Sequence, residues 1–260
     1  MERSMKRSVH FEIPGQDRSK LIEIGIPAYN EGNTIGDVLR KTISVIERLR
    51  RSFEIRLIVV DDASTDATGD VARHFGATVL SHEKNMGYGA SIRTFLNYAL
   101  RSGADIVILM DADGQHPPEE IPKLLKPILC NEADVVIGSR FLRGSTRWVP
   151  GLKKVGMIFY SLLASIIIRK RITDVTSGFR AMNRRALELV TPVYPDDYPA
   201  VGITVYMGLK GLRLMEVPVS MKPRKTGSSY IRGRNLLSYH VKVLKYTIMA
   251  LINRLWACRL

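Results

Sequence analysis

Cysteine is nearly missing from this sequence: 260 residues hold only Cys130 and Cys258. Two thiols without metal-ligand spacing make neither a zinc site nor a disulfide framework, so a small cross-linked secreted fold is excluded and a reducing, cytoplasmic setting fits. Long apolar runs are missing too. Val155–Ile168 is a largely apolar run of 14 residues, short of the roughly 20 that cross a bilayer, and nothing after Tyr230 is long and apolar enough either. Acid is scarce against base, 25 Asp and Glu to 39 Lys and Arg, for a formal charge of +14. Such a surplus points to an anionic partner: nucleic acid, a membrane face or an anionic small substrate. No internal repeat stands out, and the polar, charged start through Lys20 predicts no signal peptide. What is present, 45% hydrophobic residues over this length, suits one large globular domain or a domain with an extension.

Met1 to Lys20 mixes charge, Gly and Pro without periodicity and reads as a loose basic arm. Leu21–Pro27 reads as a strand stopped by its proline. After the loop Pro27–Glu31, Asn33 and Thr34 are suitable helix N-caps, and Ile35, Val38, Leu39, Thr42, Val45, Ile46 and Leu49 follow helical spacing. Ile55–Val60 is a second strand, ending in Asp61 and Asp62. A short helix to about His74, a strand Ala77–Leu80 and a glycine-bearing loop, Asn85–Ala90, that opens a helix to about Arg101 come next.

The segment Ile106–Glu119 organises the rest. Five apolar residues, Ile106 to Met110, run straight into Asp111, Ala112 and Asp113. Residues i and i+2 of an extended chain project to one side, so both carboxylates are expected at one point of a sheet edge. They repel each other unless a cation lies between them, and a divalent ion that shares its shell with phosphate oxygens is the natural partner. A helix over Ile121–Leu129 leads to a strand, Ala133–Ile137, closed by Gly138, Ser139 and Arg140. Strands alternating with helices imply βαβ units and a mostly parallel sheet, which binds ligands beyond the carboxyl ends of its strands. Tyr29, Glu31, Asp61, Asp62, Asp111, Asp113 and Arg140 all fall there.

Beyond Arg143 the pattern changes. Val155–Ile168, flanked by Lys153, Lys154, Arg169, Lys170 and Arg171, reads either as a core helix or as a helix lying in a membrane interface. Asp174–Arg180, a helical pattern over Arg184–Val190, a strand over Leu212–Val219 and a basic loop, Arg224–Tyr230, follow. A final amphipathic helix is expected from about Asn235 to Trp256.

Pro27-Ala28-Tyr29-Asn30-Glu31, Val59 to Asp66, Asp111 to Glu119 and Gly138-Ser139-Arg140 together resemble family 2 glycosyltransferases of the GT-A fold. With Thr176–Arg180 and the Arg224–Tyr230 loop, the chain resembles the dolichyl-phosphate mannose synthase branch, over about residues 21–233. The resemblance implies an α/β, Rossmann-like sheet flanked by helices in that span, with amphipathic interface helices at about 150–170 and 234–260. It assigns nucleotide-sugar contacts to Pro27, Tyr29, Glu31, Val60, Asp62, Asp111, Ala112, Asp113, Gln115, Arg140, Arg224 and Tyr230. Mg²⁺ or Mn²⁺ would be held by Asp111 and Asp113 with Gln115 nearby, catalysis would rest on Asp113, Arg140 and Arg224, and Ser177 and Arg180 would meet the acceptor phosphate. Blander roles stand beside these: Glu31 as a first-turn acid, Arg180 as a partner of Asp174, His116 as a plain turn residue and Asn85–Gly89 as a simple turn.

Many members that act on sugar hydroxyls carry an acidic base before the last core strand. Here Tyr194–Thr204 offers only Asp196 and Asp197, among prolines. A phosphomonoester is already anionic near neutral pH and attacks without a strong base, so the departure favours a lipid-phosphate acceptor. The reading is a metal-dependent inverting transferase from a nucleotide-diphosphate sugar to polyprenyl (dolichyl) phosphate, peripheral on the cytoplasmic face of an anionic cell membrane. Mannose from GDP-mannose comes first, with glucose or N-acetylglucosamine from a UDP donor as alternatives. A family 2 enzyme extending a glycan at a sugar hydroxyl is the runner-up and a nucleotidyltransferase a more distant one. Nucleic-acid binding is disfavoured: no stacking aromatics interleave with the basic residues, and the acidic strand ends repel a phosphate backbone.

Overall fold

The structure, a computed structural model, describes residues 19–142, 151–197, 200–222, 243–249 and 252. Arg224, Tyr230 and the rest of their loop lie outside the described residues, as do residues 1–18 of the expected arm and much of the expected 235–256 helix.

Seven strands form one sheet: β1 (Leu21–Ala28), β2 (Glu54–Asp61), β3 (Thr78–Ser81), β4 (Ile106–Leu109), β5 (Val135–Ser139), β6 (Arg180–Asn183) and β7 (Leu214–Pro218). Their spatial order is β3-β2-β1-β4-β6-β5-β7. β6 runs antiparallel to both neighbours and every other pair is parallel. The chain winds outward from β1 to β3, then returns to the other side of β1 as β4. That reversal opens a crevice beyond the carboxyl ends of β1 and β4, where open α/β sheets take their ligands.

Strand residues alternate between two cores, as a pleated chain requires. Ile22, Ile24 and Ile26 pack with α1 (Ile35–Leu49), α2 (Thr68–His74) and α4 (Ile121–Leu129) on one face. Ile58, Val60, Val107 and Leu109 pack with α3 (Tyr88–Ser102), α5 (Gly151–Ile168), α6 (Arg184–Val190) and α7 (Ala200–Leu209) on the other. The buried face of α1 is Ile35, Val38, Leu39, Thr42, Val45, Ile46 and Leu49, as its spacing predicts.

Two expectations need correction, and two elements went unforeseen. Thr34 stands at the N-cap of α1 but makes no side-chain cap; its hydroxyl donates to Glu31 Oε2 at 2.6 Å. Pro27 lies inside β1, in register with Val60; β4 pairs only as far as Gly25, so at that point β1 has a ladder partner on one side alone. β6 was not expected, because four residues entered straight from a turn motif carry too little alternation to read. Nor was α7: Ala-Val-Gly-Ile-Thr-Val-Tyr-Met-Gly-Leu is apolar all round and offers no stripe.

That all-round character has a structural use. A Cβ on Gly208 would lie 2.6 Å from the Ile168 side chain, and one on Gly202 would lie 2.5 Å from Tyr246. Both glycines therefore let α7 seat two helices, α5 and the C-terminal helical segment 243–249. Each turns an apolar stripe outward: Val155, Ile158, Phe159, Leu162 and Ile166 on α5, and Leu244, Ile248, Met249 and Ile252 on the other. Lys154 precedes the first stripe and Arg169, Lys170 and Arg171 follow it, all exposed. Among the described residues, no helix is long and apolar enough to cross a membrane.

Candidate active site

The loops after β1 and β2 are sewn into one wall. Asn30 N–H donates to Ser64 Oγ at 3.0 Å, and Thr65 N–H donates to Asn30 Oδ1 at 2.8 Å. Glu31 N–H donates to Thr68 Oγ1 at 2.9 Å, and Gly32 N–H to Asp66 Oδ2 at 2.9 Å. Asn30 and Ala63 take positive φ, 53° and 59°, to make these turns. Tyr29 stands exposed on the wall, with Pro27 and Val60 buried behind it.

Asp62, only 3% exposed, anchors the next loop. Its Oδ1 accepts from His82 Nδ1 at 2.6 Å and from Met86 N–H at 2.8 Å, and its Oδ2 accepts from Gly87 N–H at 2.8 Å. The Asn85–Gly89 loop is thus more than a turn. It is fixed to the end of β2, and it places Tyr88 at the start of α3.

Tyr88 then reaches the paired carboxylates, its hydroxyl donating to Asp111 Oδ1 at 2.8 Å. Burial of that hydroxyl and the Asp111 charge push the phenol well above its ordinary range. β4 ends at Leu109, so Asp111 and Asp113 sit on a turn and the strand alternation that predicted their common side does not apply. The turn holds them instead. Asp113 Oδ1 accepts from Gln115 N–H at 2.9 Å, with Gly114 at φ 76°. His116, given no role on sequence grounds, fixes Asp111: its Nδ1 accepts Asp111 N–H at 2.9 Å. The neutral ring therefore carries its proton on Nε2, 3.6 Å from Asp111 Oδ2, and stacks on Phe179 at 5.0 Å and 10°.

The fit to a divalent cation can be read from the donors. Among the described residues no group of three or more His, Cys, Asp and Glu is placed to hold a metal. Two carboxylates remain, 28% exposed at the Asp111 side chain and nearly buried at Asp113. Beside them the Gln115 side-chain amide N–H (Nε2) donates to Lys222 O at 3.3 Å. Hard oxygens in that number suit Mg²⁺ or Mn²⁺ completing its shell from a diphosphate and water, rather than a closed protein cage.

Past the carboxylates comes a second layer. Asp174, fully buried, takes Arg140 Nε at 2.7 Å and Nη2 at 2.8 Å, and also Arg140 N–H at 3.0 Å. Arg140 Nη2 further donates to Thr176 Oγ1 at 2.9 Å. Glu216 on β7 holds that turn from behind, accepting Asp174 N–H at 2.7 Å and Thr173 N–H at 2.8 Å; burial raises its carboxyl above the usual range. The partner of Asp174 is Arg140, not Arg180 as the blander expectation had it. Arg180 opens β6 between Leu109 and Ile137, 3% exposed. It donates to carbonyls: Nε to Ser177 O at 2.6 Å, Nη2 to Val175 O at 2.8 Å and to Ala200 O at 3.2 Å. Burial lowers its affinity for the proton, and Tyr194 and Tyr88 face it; Tyr194 is pushed up by its own burial.

The structure therefore brings Asp62, Asp111, Asp113, Gln115, Arg140, Ser177 and Arg180 to one edge of the sheet. Glu31 hydrogen-bonds within the opening turn of α1. Tyr88, His82, His116, Asp174 and Glu216 went unassigned on sequence grounds; the Gly-bearing loop before α3 was the signal for Tyr88.

Superposed on solved structures, this architecture is that of a GT-A glycosyltransferase. Glucosyl-3-phosphoglycerate synthase from Mycobacterium tuberculosis, in complex with Mn²⁺, UDP-glucose and phosphoglyceric acid, matches with a TM-score of 0.64 at 22% identity, over 89% of this chain and 80% of that one. The sequence profile of Glycosyl transferase family 2 matches residues 23–190, and the chain belongs to that family. It is 32% identical to the undecaprenyl-phosphate mannosyltransferase of Micrococcus luteus, over 86% of this chain and 93% of the relative. It is 30% identical to the UDP-N-acetylglucosamine--dolichyl-phosphate N-acetylglucosaminyltransferase of Methanococcus voltae, over 84% and 91%.

Proposed function

We propose that this glycosyltransferase moves one sugar from a nucleotide-diphosphate donor to polyprenyl (dolichyl) phosphate, with inversion at the anomeric carbon. The observation that carries the acceptor class is Arg180. Among the described residues its buried guanidinium hydrogen-bonds to carbonyls alone, with the Asp174 and Glu216 charges acting on it without a direct hydrogen bond, so an anion can be its direct charged partner. Ser177, in the same turn, belongs with it. The relatives named above act on undecaprenyl and dolichyl phosphate by their names, which supports the same class.

Pro27, Tyr29, Glu31, Val60 and Asp62 line the base and ribose. Asp111, Asp113 and Gln115 hold Mg²⁺ or Mn²⁺, which when bound neutralises charge on the departing diphosphate. Arg140, with Arg224 and Tyr230 from the loop outside the described residues, meets phosphate. A phosphate oxygen of the lipid bonds to the anomeric carbon as the bond from that carbon to the diphosphate oxygen breaks, and the nucleoside diphosphate leaves from the opposite side. No strong base is needed, because the attacking phosphate is already ionised. Of the two acids before α7, Asp196 is in fact engaged with Arg93 at 2.9 Å. Positioning and charge stabilisation carry the rate.

The lipid is met at a surface. Two outward apolar stripes on a common support, with cations beside the first, suit a peripheral protein lying on the anionic cytoplasmic leaflet. The test supplies the protein with Mn²⁺, a short polyprenyl phosphate and radiolabelled GDP-mannose, UDP-glucose or UDP-N-acetylglucosamine in turn. Label in the organic phase from one donor, lost in Asp113→Ala, is expected. Donor hydrolysis, or transfer to added saccharides alone, would sink the proposal.

A further inference from the structure

A carboxylate has about four acceptor positions, two on each oxygen. Among the described residues Asp62 spends three. Both on Oδ1 are taken, by His82 Nδ1 at 2.6 Å and Met86 N–H at 2.8 Å, and one on Oδ2 is taken by Gly87 N–H at 2.8 Å. A single position on Oδ2 remains. His82 is not free to swing aside. Its backbone N–H donates to Asp61 O at 2.9 Å, and its Nε2, bare in the tautomer that donates from Nδ1, meets Thr94 Oγ1 of α3 at 2.9 Å.

The two nucleobases at issue ask different things of a carboxylate. Guanine presents N1–H and the N2 amine side by side, a pair that needs two free oxygens. Uracil presents N3–H alone, between two carbonyls. From Asp62 with Oδ1 closed by His82, we infer that the donor nucleotide is a uridine diphosphate sugar and that His82 is a specificity-determining residue for the base. The inference rests on Asp62 as the base contact in the reaction proposed above. A guanine placed here leaves its amine buried and unpaired, a loss worth about tenfold or more in affinity. This reorders the sugars, putting the uridine-linked alternatives ahead of GDP-mannose.

The experiment measures dissociation constants of UDP and GDP by calorimetry in the presence of Mn²⁺, on the full chain and on His82→Leu. The unsubstituted protein is expected to bind UDP at least about tenfold more tightly than GDP. His82→Leu opens one position on Oδ1, so the ratio is expected to narrow several-fold, with GDP gaining and the melting temperature little changed. Thr94→Val, which keeps the ring but releases it, is expected to move the ratio in the same direction and keeps the test open if leucine unsettles the loop. GDP binding as tightly as UDP overturns the inference while leaving lipid-phosphate transfer standing. A UDP preference that neither variant alters overturns the role of His82. Binding of neither nucleotide removes the donor site and the inference together.

Discussion

Gly178 lies directly against the hydroxyl of Tyr88: a Cβ at position 178 would come within 2.7 Å of the phenol oxygen and 3.6 Å of Asp111 Oδ1. The two loops approach this closely only because residue 178 has no side chain. Gly178 is not among the glycines with positive φ, so Gly178→Ala meets no left-handed backbone strain. The atom in its way is the far end of a tyrosine, which yields by leaving Asp111. Gly178→Ala is therefore expected to fold normally, with a melting curve close to the parent, and to lose about tenfold in transfer rate, the loss of roughly one hydrogen bond at the reacting centre. Tyr88→Phe should reproduce most of that loss. A full rate in both variants would mean that the contact orients nothing.

Glu23, the third residue of β1, is wholly buried, and among the described residues neither carboxylate oxygen makes a well-formed hydrogen bond, the Ser102 hydroxyl offering only partial relief. Arg56 is 3.9 Å away. Burial raises its carboxyl above the ordinary value, so the folded protein holds it protonated where the unfolded chain ionises it. The sign follows: the folded state is favoured below the ordinary carboxylate range and loses ground as pH rises through the raised value. Replacing a buried, poorly paired acid by an apolar group of similar size is commonly stabilising. Glu23→Met is expected to raise the melting temperature by about 2–4 °C at about pH 8 and to give no gain near pH 4. A uniform shift at both pH values would show that packing, not ionisation, is responsible.

Asp134 is the opposite case at the entrance to β5. Burial alone would raise its carboxyl, but hydrogen bonds from the Arg213 side chain and backbone and from Asn183 outweigh it and bring the value to about 2. Stability from this cluster is complete above the ordinary carboxylate value and is lost as pH falls towards 2, about 2 kcal/mol in all. Urea denaturation of Asp134→Asn should show that deficit at about pH 7 and a shrinking one as the parent is titrated towards its own loss in acid. A deficit of constant size would contradict it.

Local patterns made most of this fold legible, and distance hid the rest. The buried face of α1 and the strands β1, β2 and β4 follow from residues within one turn or one pleat of each other. β6 is four residues long, and α7 is apolar on every side, so neither leaves a period to read. The same divide runs through the site. Asp111, Asp113 and Gln115 share one loop and could be grouped from their spacing. The contacts Tyr88 to Asp111 and His82 to Asp62 join loops about twenty residues apart that meet only at the edge of the sheet. Nearness in sequence matches Asp174 to Arg180, six residues away, whereas its actual partner Arg140 comes from the end of β5, 34 residues off, and only the sheet order brings the two together.

The outward stripes of α5 and the 243–249 segment give the last prediction. Phe159 and Leu162 are each 60% exposed and adjacent on one face, and large apolar side chains in such a row mark a surface that is covered in use. If that cover is a bilayer, a single charge in the stripe must be dragged into the headgroup region. Vesicles of phosphatidylglycerol and phosphatidylcholine should pull the parent protein down, more weakly when phosphatidylcholine is used alone and more weakly in high salt, because Lys154, Arg169, Lys170 and Arg171 add attraction that salt screens. Phe159→Glu is expected to cut vesicle binding by about tenfold, and to slow transfer to vesicle-borne lipid phosphate while leaving nucleotide binding unchanged. Substituting Leu162 in the same way should do likewise, whereas Lys170→Gln should lower only the salt-sensitive part. Unchanged sedimentation in Phe159→Glu would assign the stripe to a protein partner instead, and the transfer reaction would then have to reach its lipid through that partner.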